Sequence, residues 1–136
     1  MTELDLTVLL ASIVAGAAPI VLAVLGETIS EKGGVINLSL DGSILLSAMV
    51  SFAIAHQSNN LFLGFAGGAL VGAMTAAVVG FFSVFLGLSQ VAVGFVLTLT
   101  ARDLAYFLGN PYARLYGPQS GLLPIPWLHD IPVLGP

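Results

Sequence analysis

Leu6-Thr-Val-Leu-Leu-Ala-Ser-Ile-Val-Ala-Gly-Ala-Ala-Pro-Ile-Val-Leu-Ala-Val-Leu-Gly26 contains no charged side chain and a single proline, Pro19. A helix of about 20 apolar residues, rising ~1.5 Å per residue, crosses the ~30 Å hydrocarbon core of a bilayer. This stretch has that length, and membrane helices tolerate a proline when neighbouring groups satisfy the freed carbonyl. The chain opens Met1-Thr-Glu-Leu-Asp5, without the positive n-region of a cleaved signal peptide, so the first span is expected to be retained.

Working outward, three further apolar stretches follow. Val35 to Ala55 has spanning length, but its first half carries Asn37, Ser39, Asp41, Gly42 and Ser43 and is not expected to face lipid. Leu61 to Ser89 is uncharged and longer than one crossing needs, which predicts a strongly tilted helix, or a helix followed by a re-entrant or interfacial piece after Gly80. Val91 to Gly109 forms the last span. Between them, Glu27 to Gly34 predicts a tight turn with Gly33 or Gly34 as the helix cap, and His56-Gln-Ser-Asn-Asn60 a polar turn. After Asn110 the composition changes: six of the seven prolines lie there with Tyr112, Tyr116 and Trp127, a mix that suits an ordered loop at a membrane interface. The expected fold is therefore an all-α integral membrane protein with about four transmembrane helices (6–26, 35–55, 61–80, 91–109), one of them broken near Asp41, and a Pro-rich external loop over 110–136.

Composition agrees. Of the 136 residues, 57% are hydrophobic and 7% charged, whereas soluble domains carry roughly a quarter charged residues. Three basic and seven acidic side chains cannot cover the surface of a water-soluble fold of this length. The net charge of −4 and the lack of a basic patch exclude nucleic acid as a partner. With no cysteine, disulfides, thiolate metal sites and cysteine nucleophiles are all excluded. Positive charge does not orient the chain, because Lys32 and Arg114 fall on opposite sides. Arg102 can snorkel to the side of Arg114, and the bare count then leans against the topology given below.

Several groups could carry function. Gly64, Gly68, Gly72, Ala76 and Gly80 recur at every fourth position, forming a ridge almost without side chains that suits close helix packing or the smooth wall of a pore. Asn37 and Asp41 lie one turn apart and would share a helical face, with Gly42 placed where a helix can break. An ionisable group at membrane depth marks a functional position by default. Asp41 also suits the N-cap of a helix starting at Gly42, and a broken helix beside a transport path needs such a cap. Glu27 and Glu31, with Lys32 adjoining, read as a solvated turn; as metal ligands or an acid–base pair they would need further partners. The string from Gly26 to Gly33 superficially resembles a phosphate loop, but Glu31 stands where a glycine is required and no Ser or Thr follows Lys32. Arg102 and Asp103 diverge on a helix, while Arg102 can reach Tyr106 as an anchor. His56 and His129 lie in polar segments without a catalytic motif around them. Catalysis has no candidate.

Gly26-Glu-Thr-Ile-Ser-Glu-Lys-Gly-Gly-Val-Ile-Asn-Leu-Ser-Leu-Asp-Gly42, with Ile44-Leu-Leu-Ser-Ala48 just after it, closely resembles the inner-membrane permease subunits of ABC transporters for nucleosides and simple sugars, in the branched-chain amino acid and ribose permease superfamily. Lys32 replaces that family's usual Arg and Asp41 its usual Glu, both keeping the charge. The closing Ile131-Pro-Val-Leu-Gly-Pro136 is similar to the external loop in the middle of these permeases. The resemblance covers essentially the whole chain. Family members are about twice as long, so the chain is expected to be an N-terminal half, an expectation that its open end at Leu134-Gly-Pro136 also suggests.

The resemblance implies a multi-pass inner-membrane protein with an external N-terminus, Glu27 to Gly34 inside, and both His56 to Asn60 and Asn110 to Pro136 outside. It implies a passive path between helices for a nucleoside or sugar, with Asn37, Asp41 and Gly42 as candidate path or helix-break residues. Its implied partners are a second permease subunit, cytoplasmic ATPase subunits that bind ATP and Mg, an extracytoplasmic substrate-binding protein, and membrane lipid. No cofactor is expected in this chain. Residues 110–136 would dock the binding protein, with Trp127 as an interfacial anchor, or form a plain surface loop. A small, self-contained helical membrane scaffold or pore is the rival reading, suggested by the Met start and the glycine ridge.

Overall fold

A computed structural model describes residues 6–118. Among these, four helices are long and apolar enough to cross a membrane. The described residues divide into two units, one ending at Gly26 and the other beginning at Glu27. In the first unit the described part is the bulk of helix α1 (Leu6–Lys32), which runs unbroken through Pro19. Its apolar side chains are exposed all round, Val14 at 69% and Leu22 at 70%, as expected of a helix whose solvent is lipid.

The second unit begins with the last turns of α1, which continue past Gly26 to Lys32. Nothing in Glu27 to Lys32 breaks a helix, and the stop comes only at the glycine pair. Gly34, at φ +81°, takes the left-handed position of a Schellman motif: its N–H donates to the Glu31 carbonyl at 2.9 Å, and the Val35 N–H to that of Ser30 at 3.0 Å. An irregular segment then leads to α2 (Leu40–Ser58). Asn59 turns the chain at φ 49°, and the Asn60 side-chain oxygen caps α3 (Leu61–Gly80) by accepting from Phe62 N–H at 2.9 Å and Leu63 N–H at 3.3 Å. The excess length beyond Gly80 is one π-helical turn, Phe81–Phe85, which prolongs α3 and ends at Gly87 with φ +64°. Helix α4 (Gln90–Gly109) passes into a 3₁₀ turn at Asn110–Tyr112. The expected loop over 110–136 is thus described only to Pro118, and Trp127 and His129 lie outside the described residues.

Helix α2 lies against both α3 and α4. The α2–α3 hairpin is antiparallel, with Ala55 and Ser51 at Gly64, Ser51 and Ser47 at Gly68, and Ser47 near Gly72. The α2–α4 pair is parallel: Leu38 lies at Gly94, Gly42 at Thr98 and Met49 at Gly109. A small core of Leu46, Ala101 and Ala105 fills the space between, with Leu45, Met49, Val50 and Val71 packed on it. The largest side chains point outward, Phe65 at 74% and Phe107 at 78% exposed. Small residues inside and large apolar ones outside is the arrangement expected where lipid replaces water and helices associate by close backbone approach.

Candidate functional site

Non-helical backbone leaves N–H and C=O groups without the partners that a helix supplies. The segment between α1 and α2 finds them through three side chains. Gln90, the first residue of α4, uses both ends of its amide: Oε1 accepts from Ile36 N–H at 2.8 Å and Nε2 donates to the Gly34 carbonyl at 3.1 Å. Thr98, two turns further along α4, donates its hydroxyl to the Leu38 carbonyl at 2.7 Å. From α1, the Glu27 carboxylate accepts from Asn37 N–H through Oε1 at 2.9 Å. Residues 34 to 38 are thereby held from two helices.

Asn37 sits at the middle of this segment. Its Oδ1 accepts from Ser39 N–H at 3.0 Å and from the Ser39 hydroxyl, a local turn that leads into α2. Because an N–H can only donate, these bonds fix the amide with its oxygen toward Ser39. The Nδ2 group has no hydrogen bond among the described residues. Asn37 lines a cavity of about 230 Å³ with Ser30, Gly33, Val35 and, from α3, Ala76, Val79 and Gly80. A larger groove of about 540 Å³ runs between α3, the π turn and α4, but its lining is almost wholly apolar, with Val78, Phe82, Leu88, Ala92, Val96 and Leu97 among it. That lining suits acyl chains or another helix better than a polar solute. Ser89 and Thr100 also line that groove, and Thr100 already donates its hydroxyl to the Val96 carbonyl, whereas the smaller cavity is lined by a side-chain amide, that of Asn37.

The other expected residues are placed as follows. Asp41 does not cap a helix starting at Gly42: α2 begins at Leu40, and Ser39 holds the cap position. Asp41 lies exposed in the first turn, where a carboxylate complements the positive helix end. The interruption expected near Asp41 ends just before α2 begins, so Asn37 and Asp41 do not share a helical face. Gly42 is not a break point but a buried contact inside α2, where a Cβ would meet the Thr98 backbone. Glu27 is not part of a solvated turn. It lies on α1 with Oε2 buried and unpartnered, whereas Glu31 and Lys32 are exposed at the helix end. Among the described residues no three His, Cys, Asp or Glu side chains gather as a metal site would require.

Within the ridge on α3, Gly64 and Gly68 face α2, Gly72 has one neighbour at van der Waals distance, and a Cβ on Gly80 would meet nothing within 4 Å. Ala76 is exposed and lines the small cavity with Gly80. The ridge thus serves packing at its start and borders open space at its end. The Arg102 guanidinium lies 5.9 Å from the Tyr106 ring centroid.

Three features escaped the sequence reading. Gln90 is a lone amide among apolar residues, and its position at the start of a span was the available signal. Ser39, Ser43, Ser47 and Ser51 recur at every fourth position from the cap of α2 onward, and Ser47 and Ser51 lie against the glycine ridge. At the other end of the bundle, Phe52 stacks on His56 at 6.0 Å, Tyr112 meets both rings edge-on, and His56 Nδ1 lies 3.2 Å from the Tyr116 carbonyl.

Comparison with known proteins converges on one family. The family model described as branched-chain amino acid transport system / permease component matches residues 9–121. TsgC13 of Haloferax volcanii, whose name assigns it as a glucose ABC transporter permease protein, is 38% identical over 78% of this chain and 32% of its own length. The nucleoside ABC transporter permease protein NupC of Lactococcus lactis is 27% identical over 96% of this chain and 44% of its own. The guanosine ABC transporter permease protein NupQ of Bacillus subtilis is 29% identical over 88% and 41%. The match therefore spans less than half of the length of each of these relatives. No solved structure matches it.

Proposed function

This chain belongs to the branched-chain amino acid transport system permease component family, and from that premise we propose that it serves as a permease component of an ABC transporter moving a nucleoside or simple sugar across the inner membrane. The observation that carries the reading is the family match over residues 9–121, which takes in all four apolar helices. The two solute classes are supported by the names of the glucose, nucleoside and guanosine permeases among the relatives.

A permease does no covalent chemistry. Its task is to replace the water that a polar solute loses with hydrogen bonds along a path, and to rearrange that path. In this reading Asn37 supplies one such contact: its Nδ2 donors suit the hydroxyl and carbonyl oxygens of a sugar or nucleoside, and Ser30 lines the same cavity. Glycine and alanine on the facing side of α3 leave room for the solute. Energy comes from separate ATPase subunits carrying ATP and Mg. A second permease subunit and an extracytoplasmic binding protein complete the assembly.

Uptake of labelled nucleosides and simple sugars by cells with and without the gene tests the proposal. Loss of one solute class, restored by the gene on a plasmid, is expected. Unchanged uptake of both classes overturns it.

A further inference from the structure

The Glu27 carboxylate makes a single hydrogen bond of known partner, to the Asn37 backbone N–H, while Oε2 is buried without a partner. Desolvating a carboxylate oxygen is costly, so the one bond it makes deserves a function. That bond falls on the central residue of the irregular segment. Gln90 and Thr98 hold the flanking backbone at residues 34, 36 and 38 from α4. Glu27 supplies the support from α1. A metal role would require a third ligand, and Glu31 lies exposed at the helix end.

We propose that Glu27 is a positioning residue that, by gripping the Asn37 N–H, fixes the segment over residues 34–38 and with it the free donors of Asn37 at the cavity beside α3. Only the functional half of this inference rests on the reading of Asn37 as a solute contact. The bond needs an acceptor and not a charge, because Oε2 has no partner to lose. Glutamine should therefore replace Glu27, and alanine should not.

The test compares Glu27→Ala and Glu27→Gln in the complete transporter reconstituted in proteoliposomes. It reads hydrogen exchange over residues 34–38 and the KM and kcat of transport. Glu27→Ala is expected to speed exchange in that segment and to raise KM by about tenfold, the equivalent of one misplaced hydrogen bond, with kcat changed much less. Glu27→Gln is expected to restore both. Unchanged exchange in Glu27→Ala, or failure of Glu27→Gln to restore it, overturns the positioning role. Faster exchange in Glu27→Ala, restored in Glu27→Gln, with KM unchanged throughout, upholds the positioning role and removes Asn37 from the solute path. If Glu27→Ala does not assemble, Glu27→Met takes its place. Failure of both to assemble makes Glu27 a folding residue and overturns the proposal.

Discussion

Gly42 is where the packing leaves the least freedom. A Cβ at that position would collide with the Thr98 carbonyl oxygen and lie 2.8 Å from Thr98 Cα. The obstacle is backbone, which cannot rotate aside as a side chain can. Gly42→Ala should therefore destabilise the α2–α4 pair by about 1–3 kcal/mol, the usual cost of forcing atoms into a filled interior. Thermal unfolding of the purified chain in detergent measures it, and an unchanged midpoint would show that the two helices are not this close. Its neighbour Asp41 is exposed in the first turn, so Asp41→Asn should shift the midpoint far less. Gln90 makes a sharper contrast. Gln90→Glu keeps the acceptor for Ile36 N–H but loses the donor to the Gly34 carbonyl, whereas Gln90→Leu loses both. The expected order of stability is wild type, Gln90→Glu, Gln90→Leu, with each lost bond worth about 1 kcal/mol. The reverse order would mean that the amide is not the clamp.

Among the elements, the α2–α3 hairpin is built from two complementary small-residue faces, the serines of α2 and the glycines of α3. Room along it is uneven. At Gly64 a Cβ would lie 2.7 Å from the Ala55 Cβ and 2.8 Å from the Ser51 carbonyl oxygen, at Gly68 3.1 Å from the Ser47 carbonyl oxygen, and at Gly72 3.6 Å from the Ser47 hydroxyl. Alanine substitutions should therefore lose their effect in that order, and Gly72→Ala should be close to neutral. A denaturant titration of the three variants checks the gradient; equal effects at all three sites would place the contact elsewhere. The ridge was legible from spacing alone, because a four-residue repeat of glycine has few causes in an apolar helix. So were the four helices and the Asn59-Asn60 turn, since runs of apolar residues end where polar ones cluster. The helix ends were less legible. The cap at the glycine pair is legible, but Glu27 to Lys32 reads as part of the turn because charges follow an apolar run, whereas the helix continues through them to Lys32. The start of α2 was hidden because the segment before it is held by Glu27, Gln90 and Thr98, contacts of up to 60 residues' separation that local pattern does not encode. Asp41 drew attention as a charge within a span, but a membrane helix carries its first-turn charges at its exposed end.

At the scale of the molecule, the second unit fixes which turns share an end of the bundle. Helices α2 and α4 run parallel, and their far ends meet where His56 contacts the Tyr116 carbonyl and Gln57 Nε2 donates to the Tyr112 hydroxyl. The turn after α2 and the segment after α4 must therefore lie on one side of the membrane. The α1–α2 segment contacts the other end, beside Val79 and Gly80 of α3. This follows from geometry and does not depend on the three basic residues, which leave the orientation open. Because the chain has no cysteine, single introduced cysteines report sidedness without background. Ser58→Cys and Ala113→Cys, both at exposed positions, should react with a membrane-impermeant maleimide from the same side in intact cells. Lys32→Cys should react only after the membrane is opened or inverted. The family expectation adds that the first pair faces outward. Labelling of all three from outside would break the four-span topology, and labelling of Ser58→Cys and Ala113→Cys from opposite sides would break the parallel pairing of α2 and α4. Labelling of Lys32→Cys alone in intact cells would keep the bundle and invert it, placing the Glu27–Asn37 clamp and its cavity at the external face, where they would meet an arriving solute first.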